Sequence, residues 1–224
     1  LYATEMSVNT AFVDLTEQMG PQEVAQAAGE AGLDVDNLYA DSPRVTLGSA
    51  AYSPLTMAAG YATFAAEGVH ADPFAVLKVE DATGQVLYEA EEQTQRAFPA
   101  TIANEVTYDL AQVVQAGTGA YAQNLGRPAA GKTGNHEGET AWFIGYTPQL
   151  VTAVAFHREL GGDPLAPLNG VAYQPVFTGA GYPTQIWTAF MNAALEGTEV
   201  LPLPGRPVPT TSPSPTPSPS PTTS

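Results

Sequence analysis

The stretch "GRPAAGKTGN", residues 126–135, concentrates the chemistry of this chain. From Gly126 it satisfies G-x-x-x-x-G-K-[ST], the spacing of a loop whose backbone N–H groups cradle phosphates. From Lys132 it is Lys-Thr-Gly: a point charge, a hydroxyl and a residue without a side chain. On a strand, that triplet suits an anionic group held close against the backbone. The two readings demand different neighbours.

A phosphate loop follows a buried parallel strand and opens a helix, whose N-terminal N–H groups face the phosphates. Upstream here is a helical pattern over 101–116, then the polar "AYAQNLGRP". Downstream, Gly134 and Gly138 break any nascent helix, and "TAWFIGY" has the pattern of a strand. No strand ending in Asp stands ready for Mg²⁺. The surroundings therefore favour Lys132, Thr133 and Gly134 as one wall of a substrate cleft, with no nucleotide partner. Two further words accompany them: Ser7-Val8-Asn9, a hydroxyl and an amide two residues apart at a helix entrance, and Gly117-Thr118-Gly119. Taken alone, Ser7 reads best as a plain helix N-cap. The order S-x-N, G-T-G, K-T-G is harder to assign to chance.

The elements that must position these residues show in the periodicity. "SVNTAFVDLTEQMG" places Ala11, Phe12 and Leu15 at helical spacing before Gly20. A second helix starts at Pro21 and stops at Gly32. A third has Ser53 as cap, Pro54 at its first position, a face of Leu55, Ala58, Ala59, Ala62 and Ala66, and Gly68 as its end. Val76–Val79 and Val86–Tyr88 read as strands joined by an Asp-Ala-Thr-Gly turn. A fourth helix carries Ile102, Val106, Leu110, Val113 and Val114, and Gly117 closes it. "TAWFIGYTPQL" and "VTAVAFHREL" predict a buried antiparallel pair turning at Thr147–Gln149, with Trp142 and Phe143 in the core. "QIWTAFMNAALEG" is a last helix. From Leu201 onward Pro alternates with Ser and Thr, which predicts an extended, disordered tail over 201–224 after a domain over 1–200.

Composition narrows the function. Seven Lys/Arg against 23 Asp/Glu give a net charge of −16, which disfavours nucleic acid and anionic lipid as partners. There is no cysteine, so thiol nucleophiles, disulfides and thiolate metal sites are excluded. His136, Glu137 and Glu139 cluster after the motif, but their spacing suits a solvated loop better than zinc. No metal or cofactor is expected. His70 and His157 read as ordinary surface or strand-end residues.

With these residues in place, the chain resembles the transpeptidase domain of class A penicillin-binding proteins. "SVNTAFVDL", "RVTLGSAAYSPLTMAAGYATFAAEGVHADP", "LKVEDATGQVLYE", "VVQAGTGAYA", "RPAAGKTG", "AWFIGYTPQLVTAVAF" and "GYPTQIWTAFMNAAL" resemble family segments in family order. The Pro/Ser/Thr tail resembles those of actinobacterial members. The resemblance implies an α+β serine β-lactamase/transpeptidase-like fold. In it an antiparallel sheet carries helix 184–196 on one face and an all-helical part on the other. It implies stem peptides of peptidoglycan, ending in D-Ala-D-Ala, and β-lactams as ligands. It implies that Ser7 relays a proton, Asn9 binds the substrate amide, Lys132 and Thr133 hold the terminal carboxylate, Gly134 lets substrate approach, and the Asn135 N–H serves the oxyanion. Tyr121 and the Gly117 loop would line the cleft.

Two departures follow. No S-x-x-K exists: Ala75 and Ala129 stand three residues before the two lysines, Lys78 and Lys132. The family's nucleophile and base lie before S-x-N. The chain is therefore expected to be an N-terminally truncated piece of a membrane-anchored, extracytoplasmic enzyme, inactive alone and with exposed apolar surface. An inactive binding module and a β-lactamase relative stay open beside that reading. The second departure is Asn135, which stands where the family usually has Thr or Ser.

Overall fold

The computed structural model describes residues 1–48 and 50–205; most of the expected tail, 206–224, lies outside the described residues. Among the described residues there are six α-helices and seven strands; the helices are α1 (Tyr2–Met6), α2 (Asn9–Met19), α3 (Pro21–Glu30), α4 (Pro54–Ala65), α5 (Ala100–Gln115) and α6 (Tyr182–Ala194). The strands are β1 (Val69–Ala71), β2 (Lys78–Glu80), β3 (Val86–Glu89), β4 (Thr94–Arg96), β5 (Ala130–His136), β6 (Thr140–Thr147) and β7 (Leu150–His157). The central sheet is antiparallel β5-β6-β7, with β5 on an edge.

Local chemistry starts and stops these elements. Pro21 and Pro54 occupy the first turns of α3 and α4. The Ser53 hydroxyl accepts the Thr56 N–H at 3.1 Å, the N-cap bond that its position predicts. The Asp81 carboxylate accepts the N–H groups of Thr83 and Gln85 and closes the β2–β3 turn. Three features were not legible in the sequence. A short helix, α1, precedes Ser7. Strands β1 and β4 pair as a separate two-stranded ribbon. His70, on β1, is buried rather than at the surface: its Nδ1 hydrogen-bonds the Thr63 hydroxyl at 3.0 Å, and its ring lies where Gly32 has no side chain.

The central sheet is covered on both faces. On one, Phe143 meets Trp187 of α6 edge-to-face with ring centroids 5.1 Å apart, in a cluster with Met191 and Leu195. The Trp187 indole N–H donates to the Gly145 carbonyl at 3.1 Å, and a side chain at Gly145 would collide with both rings. On the other face, Tyr146 packs with Leu110 and Ala111 of α5, and its hydroxyl bonds Thr107 at 2.9 Å. Arg127 reaches the C-terminal end of α6, donating to the Leu195 carbonyl at 3.1 Å. Leu203 lies against the Tyr146 cluster, so the chain still follows the domain surface there.

The buried helix faces differ from the apolar stripes expected. Leu15, Leu55 and Ile102 are exposed, whereas Thr16, Thr63 and Thr107 are buried. Each threonine hydroxyl has a partner: Thr16 donates to the Phe12 carbonyl at 2.8 Å, Thr63 bonds His70 and Thr107 bonds Tyr146. A satisfied hydroxyl costs little to bury, and the remaining methyl group packs. Leu1, Tyr2, Met6 and Met19 are also exposed. Among the described residues, no helix is long and apolar enough to cross a membrane.

Trp187 joins the sheet to α6 by packing and by a hydrogen bond. Trp187→Ala is expected to cost about 3–5 kcal/mol of unfolding free energy in a denaturant titration. Trp187→Phe, which mainly loses the N–H bond, is expected to cost roughly 1–2 kcal/mol.

Candidate active site

The expected triplet Lys132-Thr133-Gly134 lies on edge strand β5, so a phosphate-loop geometry is absent: a strand, not a helix, begins at Ala130. Lys132 pairs with Ile144, Thr133 with Phe143 and Gly134 with Trp142 across the β5–β6 ladder. Phe143 is fully buried and anchors this ladder, while Trp142 is only half-buried. A Cβ placed on Gly134 would meet Trp142 side-chain atoms at 3.3 and 3.9 Å and no other described atom within 4 Å. A side chain at Gly134 would therefore crowd Trp142.

Ser7 and Lys132 are 125 residues apart in sequence and in direct contact in space. The Lys132 ammonium donates to the Ser7 hydroxyl oxygen at 2.9 Å and to the Thr133 carbonyl at 3.0 Å. The Ser7 hydroxyl oxygen is thereby an acceptor, and its own hydrogen remains free to be given to another group. Ser7 does not cap α2, as its position suggested; Val8 holds that place. Instead Ser7 ends α1 in the left-handed region, φ 57° and ψ 50°. A non-glycine residue held there is strained, and the surrounding contacts must maintain it. The Val8 N–H bonds back to the Ala3 carbonyl at 2.9 Å, and the Ser7 N–H to that of Thr4 at 3.3 Å.

Asn9 opens α2 two residues on; it is exposed and makes no side-chain hydrogen bond to a described residue. Its carboxamide is thus available. The Gly117-Thr118-Gly119 loop ties both halves together. The Thr118 N–H donates to the Glu5 carbonyl of α1 at 3.2 Å, and its hydroxyl meets that of Thr133 at 2.6 Å. With Thr118 donating, the Thr133 hydrogen stays available for an anion. Gly117 lies so close to the Glu5 carbonyl that no side chain fits there. Thr118 is the residue that sequence reasoning left without a role; its flanking glycines were the only signal. Tyr121 is exposed next to this loop.

Asn135 does not extend the polar row of Lys132 and Thr133. Its side-chain oxygen accepts the N–H of Gly179, ahead of α6, at 2.6 Å. Beyond it the chain turns through His136–Glu139, with Glu137 and Gly138 both at positive φ.

The Lys132 cation and the hydroxyls of Ser7, Thr118 and Thr133 therefore meet at edge strand β5, with the Asn9 amide two residues from Ser7. A family model settles what this arrangement belongs to. The penicillin binding protein transpeptidase domain matches residues 2–173. The chain belongs to the penicillin-binding protein transpeptidase family. It is 36% identical to penicillin-binding protein 1A of Mycolicibacterium smegmatis over 226 aligned positions, 90% of this chain and 28% of that protein. It is 35% identical to penicillin-binding protein 1A of Mycobacterium tuberculosis, again over 90% of this chain, and 27% of that protein. The PonA1 protein of Mycobacterium tuberculosis, solved in complex with penicillin V, matches with a TM-score of 0.76 at 32% identity. That match covers 93% of this chain and 61% of the solved one. Penicillin-binding protein 1A of Haemophilus influenzae shares the fold at a TM-score of 0.79 and 22% identity, over 91% of this chain and 35% of the solved one. The chain thus spans little more than a quarter of its curated mycobacterial relatives. Within this transpeptidase domain, the α+β fold and the family resemblance drawn from the motifs both hold.

Burial pushes the Lys132 ammonium below its ordinary value of 10.5, because partial loss of water disfavours the charged form. The sign follows from proton counting. Between the lowered folded value and 10.5, the unfolded chain binds more protons than the folded one, so stability rises with pH. Below that window both states are protonated and the burial cost stays. Lys132→Met is expected to leave the thermal midpoint at pH 7 unchanged or slightly higher. It should also remove the wild-type gain on approach to pH 10.5, as measured by circular dichroism melts at stepped pH.

Proposed function

We propose that this chain is the K-T-G and S-x-N portion of a peptidoglycan D,D-transpeptidase, an enzyme that cross-links stem peptides through a serine acyl-enzyme and is acylated by β-lactams. The observation that carries the reading is the hydrogen bond from Lys132 to Ser7 at an edge strand. In this reading Lys132 makes the cleft positive toward the terminal carboxylate of a D-Ala-D-Ala peptide, and the Thr133 hydroxyl donates to that carboxylate. Ser7 passes a proton to the departing amine. Asn9 holds the substrate amide. Gly134 lets the peptide lie against β5, and the Asn135 N–H stabilises the developing oxyanion.

The attacking serine and its lysine are supplied by an S-x-x-K segment outside these 224 residues, so this chain alone does not acylate. In this reading residues 1–200 form the domain portion and the Pro/Ser/Thr-rich stretch after them a tail, whose first residues stay on the domain surface through Leu203. In the parent protein the domain works outside the cytoplasm on a membrane anchor, with no nucleic acid, nucleotide or cofactor involved. The penicillin V complex of PonA1 supports β-lactams as ligands.

Fluorescent penicillin tests the reading directly. The 224-residue chain is expected to stay unlabelled. The full parent polypeptide is expected to label covalently, and its Lys132→Ala variant to label at least about 100-fold more slowly. An unlabelled but folded parent would overturn the enzyme assignment. Labelling of the short chain would show that the nucleophile lies within it.

A further inference from the structure

On the face of Gly134 opposite its missing side chain, the backbone of Gly179 approaches closely. A Cβ placed on Gly179 would stand 2.9 Å from the Gly134 carbonyl oxygen and 3.1 Å from its nitrogen, and closer still to the Trp142 carbonyl oxygen. Gly179 therefore rests directly on the Gly134–Trp142 cross-strand pair. Three bonds hold it there. Its N–H donates to Asn135 Oδ1 at 2.6 Å. Its carbonyl accepts the Thr184 hydroxyl at 2.6 Å and the Thr184 N–H at 3.3 Å. Thr184 is fully buried in the first turn of α6, and the Thr188 hydroxyl donates to its carbonyl at 2.8 Å. Because the partner is an N–H, the end of the Asn135 carboxamide that faces Gly179 must be the oxygen.

We propose that Asn135 is a positioning residue for the acylation reaction: it clamps Gly179 against the back of Gly134 and so fixes the wall on which the acyl donor lies. This rests on the transpeptidase reading of the site. Edge strand β5 has a strand partner on one side only, so its peptide planes are free to shift unless something packs on them. Gly134 has no side chain to pack, and the clamp from Gly179 takes that part. Asn135 acts through Gly134 and makes no contact with ligand through its side chain. A displacement of about 1 Å at such a wall costs up to roughly 100-fold in rate.

The test uses the full parent protein and measures penicillin acylation with the two constants separated: dissociation of the initial complex and the first-order acylation step. Asn135→Ala is expected to lower the acylation step about tenfold or more, with the dissociation constant changed less than about threefold. Asn135→Asp, which keeps an acceptor oxygen for the Gly179 N–H, is expected to recover most of that rate. Gly179→Ala, which pushes on the strand from behind, should reproduce the Asn135→Ala pattern. In hydrogen exchange of the 224-residue chain, the Gly179 amide should exchange at least about tenfold faster in Asn135→Ala than in the parent sequence. A loss confined to the dissociation constant would overturn the proposal in favour of direct ligand contact by the carboxamide. Unchanged acylation, or unchanged exchange at Gly179, would overturn it outright. Failure of the parent protein itself to acylate would strike at the transpeptidase reading instead, and the exchange result would still report on the clamp.

Discussion

The Lys132 ammonium is partly withdrawn from water, and an ammonium in that position needs oxygen partners. It has two: the carbonyl of the next residue on its own strand and the hydroxyl of Ser7. The first is local and available wherever β5 forms. The second requires α1, α2 and the central sheet to be assembled in one relative position. The rest of the site follows from meeting that requirement. The Gly117–Gly119 loop bonds α1 through Glu5 and β5 through Thr133, so the contact between Lys132 and Ser7 is braced from the side.

The bracing elements are stiff for identifiable reasons. Phe143 sits opposite Thr133 and is locked by Trp187, whose indole also bonds the sheet at Gly145. Tyr146 is held from the other face by Thr107 of α5. Strand β6 is thus held from both faces, and it in turn supports the edge strand β5 that carries the cation. Glycines take part wherever two backbones must approach: Gly117 against Glu5, Gly145 beneath Trp187 and Gly179 on Gly134. A strained Ser7 backbone is affordable in such a frame, because adjacent bonds from Val8 and Ser7 itself close the end of α1.

Net charge is a poor guide to this cleft. The chain carries −16, yet the group presented at β5 is a cation. Surface charges beyond a Debye length, roughly 8 Å in physiological salt, are largely screened, whereas a half-buried ammonium acts at contact. The acidic balance disfavours polyanionic partners, and in the proposed reading Lys132 and Thr133 supply the local chemistry for a small carboxylate.

Much of this protein was legible in its sequence. Proline at helix starts, glycine at helix ends, the Asp81 turn and the apolar runs of β6 and β7 placed most elements, because each reflects a torsional preference of a few neighbouring residues. Motif order alone pointed to the family. The sequence also misled in a consistent way. Leucines and an isoleucine marked helix faces that face water, while Thr16, Thr63 and Thr107 went inside, and His70 with them. Hydropathy counts a hydroxyl or an imidazole as polar; burial depends on whether a partner is there to bond it, and that partner lies four or more residues away. The candidate site residues, Ser7, Asn9 and Lys132 to Asn135, were named from the sequence. Their meeting across 125 residues, the brace from Thr118 and the turning of Asn135 toward Gly179 were decided only by the tertiary structure, since each depends on how whole helices pack against the sheet.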